Sequence, residues 1–305
     1  MWDFAHLTTP AAALLVCLGG ATAISAPQPL AESLSRSKHW GYQLQNIDLD
    51  LLKQTACDVL VIDYSRDGSA STEFTPAEIG SLKERADRPR TVLAYLSVGE
   101  AEDYRFYWQA DWASAPPHWL RLDAESWPGN YPVRYWELGW QRLIFGEPRA
   151  YLDRILSAGF DGVYLDRVDS FAEVDATLPE GERMRAMRNL VAELARYGRQ
   201  RSPGFLVVPQ NGEELLSDAD YRNLIDGFAK EDLFFGIDHD ETLNSAADVN
   251  ASLALINILL AEGKPLFLAE YLSGRDAVAD ARKKAGPLGG RLFVGSRELD
   301  QVPSC

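Results

Sequence analysis

The residues able to do chemistry in this sequence are acids that stand where short apolar runs stop. The clearest case is Gly159 to Ser170, G-F-D-G-V-Y-L-D-R-V-D-S, in which Val163-Tyr164-Leu165 ends at Asp166 and Asp169 follows three residues on. An apolar run bounded by turn formers predicts a buried parallel strand with carboxylates at its C-terminal tip. The phrase recurs. Other runs end in Asp63-Tyr64, Gly99-Glu100, Gln210-Asn211, Glu231-Asp232 and Glu270-Tyr271. One such acid is ordinarily a helix N-cap or a turn former. Six acid- or amide-tipped strands around one mouth would repel each other unless they share hydrogen bonds or meet a polyhydroxylated or cationic ligand.

Histidines are scattered at positions 6, 39, 118 and 239, none at a strand end, so a Ser-His-Asp hydrolase has no base in place. His239, between Asp238 and Asp240, lacks a second histidine, which disfavours zinc, and no metal or cofactor is expected. Calcium on loop acids is the alternative that stays open. Paired carboxylates with aromatics and amides suit glycoside hydrolysis, where one acid protonates the leaving oxygen and the other attacks the sugar or activates water. Trp108, Trp112, Trp119, Trp127, Trp136 and Trp140 crowd the stretch after the third strand. They can stack on sugar rings or simply form the core beneath a long loop.

The elements that must position these acids alternate along the chain. Strands are expected at Trp40–Gln45, Val59–Tyr64, Thr91–Val98, Phe160–Asp166, Phe205–Pro209, Ile225–Ala229, Pro265–Ala269 and Arg291–Val294. Helices are expected at Asp48–Thr55, Pro76–Ala86, Gly139–Ala158, Glu182–Gln200, from Glu213, at Ala246–Glu262 and at Arg275–Lys284, with an irregular excursion over Gly99–Glu137. Eight strand–helix units without a hairpin signal predict an α/β fold, a single (β/α)8 TIM barrel over residues 38–305. No G-x-G-x-x-G turn follows the first strand, which argues against a dinucleotide site.

The chain of 305 residues is 46% hydrophobic and carries a net charge of −15, so no basic surface invites a nucleic acid. Ala11 to Ala23 is a short apolar run with small residues after it, which predicts a signal peptide over residues 1–26, although no Lys or Arg precedes it. The run is too short to span a bilayer, so no stable membrane insertion is expected after cleavage. Residues 27–37 read as a linker. A periplasmic or secreted location follows, in which Cys57 and Cys305 could form a disulfide or remain two thiols.

In order, WGYQLQ, VLVIDYS, TVLAYLSVGEAEDYR, the WL and YPVRYWE insert, FDGVYLDRVDS, VVPQNGEEL, GFAKEDLFF and PLFLAEYL resemble glycoside hydrolase family 114, the endo-α-1,4-polygalactosaminidases, from Trp40 to Leu299. The resemblance implies retaining cleavage of α-1,4-linked galactosamine-containing polysaccharide. It places the nucleophile or transition-state stabiliser at Asp166 and the acid/base at Glu231. Where many relatives read Asp-Asn, this chain has Asp166-Arg167, a cation beside the nucleophile. Glu231 should be protonated through burial or the charge of Asp166, and Asp166 kept ionised by donors such as Tyr64 or Asn211. Asp63, Glu100, Asp103, Asp169 and Glu270 would line the cleft and meet substrate amino groups, with Tyr42, Tyr64, Tyr104, Trp127, Gln210, Asn211 and Tyr271 as further substrate contacts. A barrel that binds polysaccharide without cutting it, or an α-galactosidase-type specificity, are the competing expectations.

Overall fold

Eight parallel strands, short, apolar and separated by helices, can satisfy their backbone groups and bury both faces only by curling into a cylinder wrapped in helices. The computed structural model describes residues 29–85, 88–122, 127–173, 175 and 177–305 and has this (β/α)8 barrel architecture. The expected signal peptide lies outside the described residues.

The elements run α1 (Pro29–Arg36), β1 (Trp40–Gln43), α2 (Leu49–Gln54), β2 (Val59–Ile62), α3 (Pro76–Lys83) and β3 (Thr91–Ser97). The excursion holds an antiparallel pair, β4 (Glu100–Glu102) and β5 (Asn130–Pro132), so it is not wholly irregular. Then follow α4 (Leu138–Ile144), α5 (Tyr151–Ala158), β6 (Gly162–Asp166), α6 (Glu180–Arg201), β7 (Leu206–Pro209), α7 (Ala219–Leu224), β8 (Phe228–Glu231), α8 (Ala246–Ala261), β9 (Leu266–Tyr271), α9 (Arg275–Ala285) and β10 (Arg291–Gly295).

Three expectations need correction. The supposed linker contains α1, whose Leu34 is fully buried in the barrel interior with Trp40 and Tyr42. The single helix over Gly139–Ala158 is two. Phe145 leaves the helix in extended backbone and Gly146 follows at φ +90°, left-handed backbone that glycine adopts without a steric penalty. The helix from Glu213 is a 3₁₀ turn over Glu213–Ser217, and α7 starts afresh behind the N-cap Asp218. Elsewhere local signals act as read: Asp48 caps α2, and Thr75 with Glu78 forms the capping box of α3.

Strands β1-β2-β3-β6-β7 form one parallel ladder and β8-β9-β10 another. The two meet where Gln210 bridges to Ala229. At the other seam the Trp40 indole N–H donates to the Arg291 carbonyl at 2.7 Å. Alternate residues divide cleanly. Trp40, Tyr42, Val59, Val61, Leu93, Tyr95, Tyr164, Leu206, Val208, Ala229, Phe267, Ala269 and Phe293 fill the interior. Their neighbours, such as Leu60, Ile62, Val163, Leu165 and Leu268, pack against the helices. The interior is aromatic: Trp40 lies 5.5–5.9 Å from the rings of Tyr42, Tyr164, Phe267 and Phe293. Gly162 lets β6 approach β7 closely, since a Cβ there would stand 2.3 Å from the Leu206 carbonyl oxygen.

At the N-terminal mouth three aspartates each sit five residues before an acid at the other end: Asp58 before Asp63, Asp161 before Asp166, Asp226 before Glu231. Each of the three accepts backbone N–H groups beside the first residue of the adjacent strand. Asp58 takes Lys38 and His39 at 2.7 and 3.1 Å, Asp161 takes Val92 at 2.9 Å, and Asp226 takes Val207 at 2.8 Å. A cation neutralises each one, Arg85, Lys83 and Arg199 respectively. These acids staple neighbouring strands at the dry end of the barrel.

The segment after β10 is not helical. It covers the outer side of β1, where Pro303 occupies the space a Cβ on Gly41 would need. A Cys57–Cys305 disulfide pins it across a sequence separation of 248. Closing so long a loop restricts the unfolded chain, so Cys305→Ser should lower unfolding free energy by about 2–5 kcal/mol in urea titrations. A reductant should shift the wild-type midpoint toward that of the variant, and equal midpoints in all three samples would refute this role for the bridge.

Candidate active site

Period-two alternation decides which strand-end residues face the mouth. Continuing the inward register brings Tyr42, Asp63, Tyr95, Asp166, Gln210, Glu231 and Tyr271 to a cleft of about 630 Å³ at the C-terminal ends of the strands. Tyr104 and Trp127, 48% and 52% exposed, form its aromatic rim from the excursion.

At its floor stand Asp166 and Glu231, and one amide touches both. Gln210 Nε2 donates to Asp166 Oδ1 at 2.8 Å and to Glu231 Oε2, while its Oε1 accepts the Tyr164 hydroxyl at 2.6 Å. Asp166 Oδ2 accepts the Tyr95 hydroxyl at 2.7 Å. Glu231 is also held from behind by Asn211. The Asn211 Nδ2 donates to Oε2 at 3.3 Å, and its Oδ1 accepts the Glu231 backbone N–H at 3.2 Å. Asn211 does so from left-handed backbone at φ 59°, a conformation Asn tolerates better than most residues.

Burial, and then the charge of Asp166, push the Glu231 carboxyl up to about 8. Burial also raises Asp166, but the Tyr95 hydroxyl and the Arg167 cation oppose that rise. Two carboxyls this close hold one proton between them, and the unequal surroundings leave it on Glu231. Arg167 adopts φ 60° and turns to Glu100 and Glu173, so its charge reaches Asp166 through space rather than through contact.

Further out, charges are matched within the protein. Arg105 is buried between Asp63 and Glu102, bonding Asp63 at 2.5 Å and Glu102 at 2.6 Å. The Tyr104 hydroxyl donates to Glu102 at 2.6 Å. Arg297 spans Asp232 and Asp240, both at 3.0 Å, with its guanidinium 4.4 Å from the centre of the Tyr271 ring.

Six of the residues expected at the cleft stand elsewhere. Tyr64 and Glu270 have the outward parity. The Tyr64 hydroxyl donates to the Gly68 carbonyl at 2.7 Å and its ring packs on Tyr151, so it is no donor to Asp166. Glu270 is fully buried and accepts the backbone N–H groups of Phe234 and Phe235, fixing the loop after β8. Glu100 is buried against Arg167, and Asp103 faces solvent on the excursion. Asp169 lies behind Asp166, where the charges of Arg167 and Lys230 act on it. Asn211 supports Glu231 without lining the cleft. Among the six tryptophans only Trp127 lines it. Trp108, Trp112, Trp119 and Trp140 form a chain of ring contacts with centroids 5.0–5.2 Å apart under the excursion.

Sequence reasoning missed Tyr95, Glu102, Arg105 and Arg297. Tyr95 was detectable, since it continues the inward register of Leu93. Arg105 and Arg297 sit in loops, where no periodicity marks a side chain. Among the described residues no group of three or more His, Cys, Asp or Glu could hold a metal ion.

The profile of glycoside-hydrolase family GH114 matches residues 20–305. A Thermotoga maritima protein is 42% identical over 201 residues, 65% of this chain, and the match spans 60% of that protein's length. The glycoside hydrolase domain of PelA from Pseudomonas aeruginosa superposes with a TM-score of 0.66 at 21% identity, covering 88% of this chain and 98% of that one. Ega3 of Aspergillus fumigatus, solved in complex with galactosamine, gives 0.64 at 18% identity, covering 88% and 95%. At such identities the likeness to the two solved structures establishes the fold.

The raised Glu231 carboxyl has a stability consequence. Below about pH 4.5 folded and unfolded chains both hold this proton. As pH rises from there toward about 8 the unfolded chain releases it and the folded chain keeps it, so folding stability is progressively lost. Glu231→Gln removes that loss. The variant should match wild type near pH 4.5 and gain on it as pH rises, by up to about 4 kcal/mol at pH 8, in denaturant titrations. A gap that does not widen with pH would contradict the protonated assignment.

Proposed function

This chain belongs to glycoside hydrolase family GH114, and on that footing we propose that it is an exported, endo-acting, retaining enzyme that cleaves galactosamine-containing polysaccharide. The observation that carries the reading is the pair Asp166 and Glu231, joined through the Gln210 amide at the floor of the cleft. Two oxygens that accept from one nitrogen stand within about 6 Å of each other. That supports the closer carboxyl spacing of retaining enzymes, about 5–5.5 Å, over the roughly 6.5–9.5 Å of inverting ones.

Glu231 gives its proton to the glycosidic oxygen as that bond breaks, and Asp166 attacks the anomeric carbon from the opposite face. Glu231, now ionised, then takes a proton from water, whose oxygen displaces Asp166 and restores the starting configuration. Tyr95 and Gln210 stabilise Asp166 in the two states where it is ionised.

Galactosamine is the sugar seen with Ega3. A cleft lined by Asp63, Asp67, Glu102, Asp166 and Glu298 against Arg66, Arg105 and Arg297 favours amino groups over anionic sugars. Arg66 also lines a second groove of about 330 Å³ with Asp48, Asp50, Lys53 and Glu78. This neighbouring groove adds surface beside the cleft, which supports binding of a chain along its length and internal cleavage. The disulfide agrees with an oxidising, extracytoplasmic compartment.

Incubation with a galactosamine-rich polymer should release oligosaccharides visible by mass spectrometry, and a neutral glucan should remain intact. Asp166→Asn and Glu231→Gln should each reduce release by roughly 10²–10⁴-fold. NMR of the first-formed product should show the α-anomer. Equal activity of either variant would refute the assignment, and a β-anomer would refute retention.

A further inference from the structure

The Gln210 amide has no freedom left. Its carbonyl oxygen accepts the hydroxyl of Tyr164, a residue 1% exposed within the aromatic interior, and its two N–H bonds are both spent on carboxylates. A flipped amide would set its oxygen against two carboxyl groups and its NH₂ against the Tyr164 hydroxyl. Glu231 Oε2 receives a second N–H from Asn211, so this oxygen is doubly an acceptor, and Oε1 is the atom left to carry a proton. We propose that Tyr164 and Gln210 act as a positioning pair, in which the buried hydroxyl fixes the amide, and the amide sets the spacing of Asp166 and Glu231 and directs the Glu231 proton to Oε1.

The pair acts through the two carboxyl groups rather than on the sugar, and the inference rests on Asp166 and Glu231 being the catalytic acids. An N–H bond stabilises a carboxylate more than a carboxylic acid. Loss of the amide bridge therefore makes both groups harder to ionise. The other charges acting on Glu231 are Asp232, Asp169 and Lys230, with Arg297 4.0 Å from Oε1; Arg167 and Asp169 act on Asp166. The tyrosine hydroxyls facing the pair, Tyr42, Tyr95 and Tyr271, are pushed up by burial and remain neutral. None of these groups is removed by changing Gln210 or Tyr164.

The test is the pH–rate profile of Gln210→Met and Tyr164→Phe on the galactosamine polymer, with Asp166→Asn and Glu231→Gln assayed alongside. In Gln210→Met both limbs of the bell should move to higher pH by about half a unit or more. The same variant should lose roughly tenfold in kcat with KM within about twofold of wild type. Tyr164→Phe, which keeps the ring and its packing, should move the limbs the same way by a smaller amount. Limbs left at wild-type positions, with activity either unchanged or uniformly lower at every pH, would overturn the positioning role even if melting temperatures fall. If Gln210→Met does not fold, Tyr164→Phe alone decides between these outcomes. Activity retained in Asp166→Asn or Glu231→Gln would instead overturn the catalytic assignment on which the pair depends.

Discussion

Two carboxyl groups that repel each other are held at the floor of one cleft, and the surrounding architecture answers that conflict. Removing an unpaired carboxylate from water is strongly unfavourable, so a pair survives there only if one member keeps its proton and the other is surrounded by donors. The barrel does both. Tyr95 from β3 and Gln210 after β7 donate to Asp166, and burial beside that charge keeps the proton on Glu231. No single strand carries all these groups. A closed ring of parallel strands is what brings their tips within hydrogen-bond distance.

The rest of the mouth follows the same electrostatic logic at lower cost. Arg105 lies buried between Asp63 and Glu102, and Arg297 lies between Asp232 and Asp240. The Arg105 set is buried and fixed by several hydrogen bonds, the condition for buried charge to be tolerated, while the Arg297 set stands at the more exposed rim. The cleft therefore has a patterned charge. The overall balance of −15 says little about it.

Below the site the barrel is filled with rings where branched aliphatics are the commoner choice. Large rigid side chains make a stiff floor, and Tyr164 can extend a hydroxyl from that floor to the Gln210 amide. At the opposite mouth the acids Asp58, Asp161 and Asp226 take backbone N–H groups of adjacent strands and meet cations from the helical layer. Each of these strand units thus carries one acid for cohesion and one for the mouth, five residues apart.

The alternation of apolar runs with helix signals was enough to specify eight staves and their order, because burial on both faces and short connections leave few other solutions. The same runs marked Asp166, Gln210 and Glu231, since a residue at the tip of a buried parallel strand has only the mouth to occupy. Parity along each strand was also legible and would have turned Tyr64 and Glu270 away from the cleft and Tyr95 toward it. The partners from loops were not legible. Arg105 reaches Asp63 across 42 residues and Arg297 reaches Asp232 across 65, and no local pattern encodes contacts made only after the chain has closed. The helix within the expected linker was likewise decided by packing against the barrel, which outweighs weak local preference, whereas Gly146 and Pro148 between α4 and α5 are break signals that local sequence does carry. Sequence fixed which groups stand at the strand tips, and tertiary structure decided which of them meet, because hydrogen bonds and charge coupling depend on distances that only the closed barrel defines.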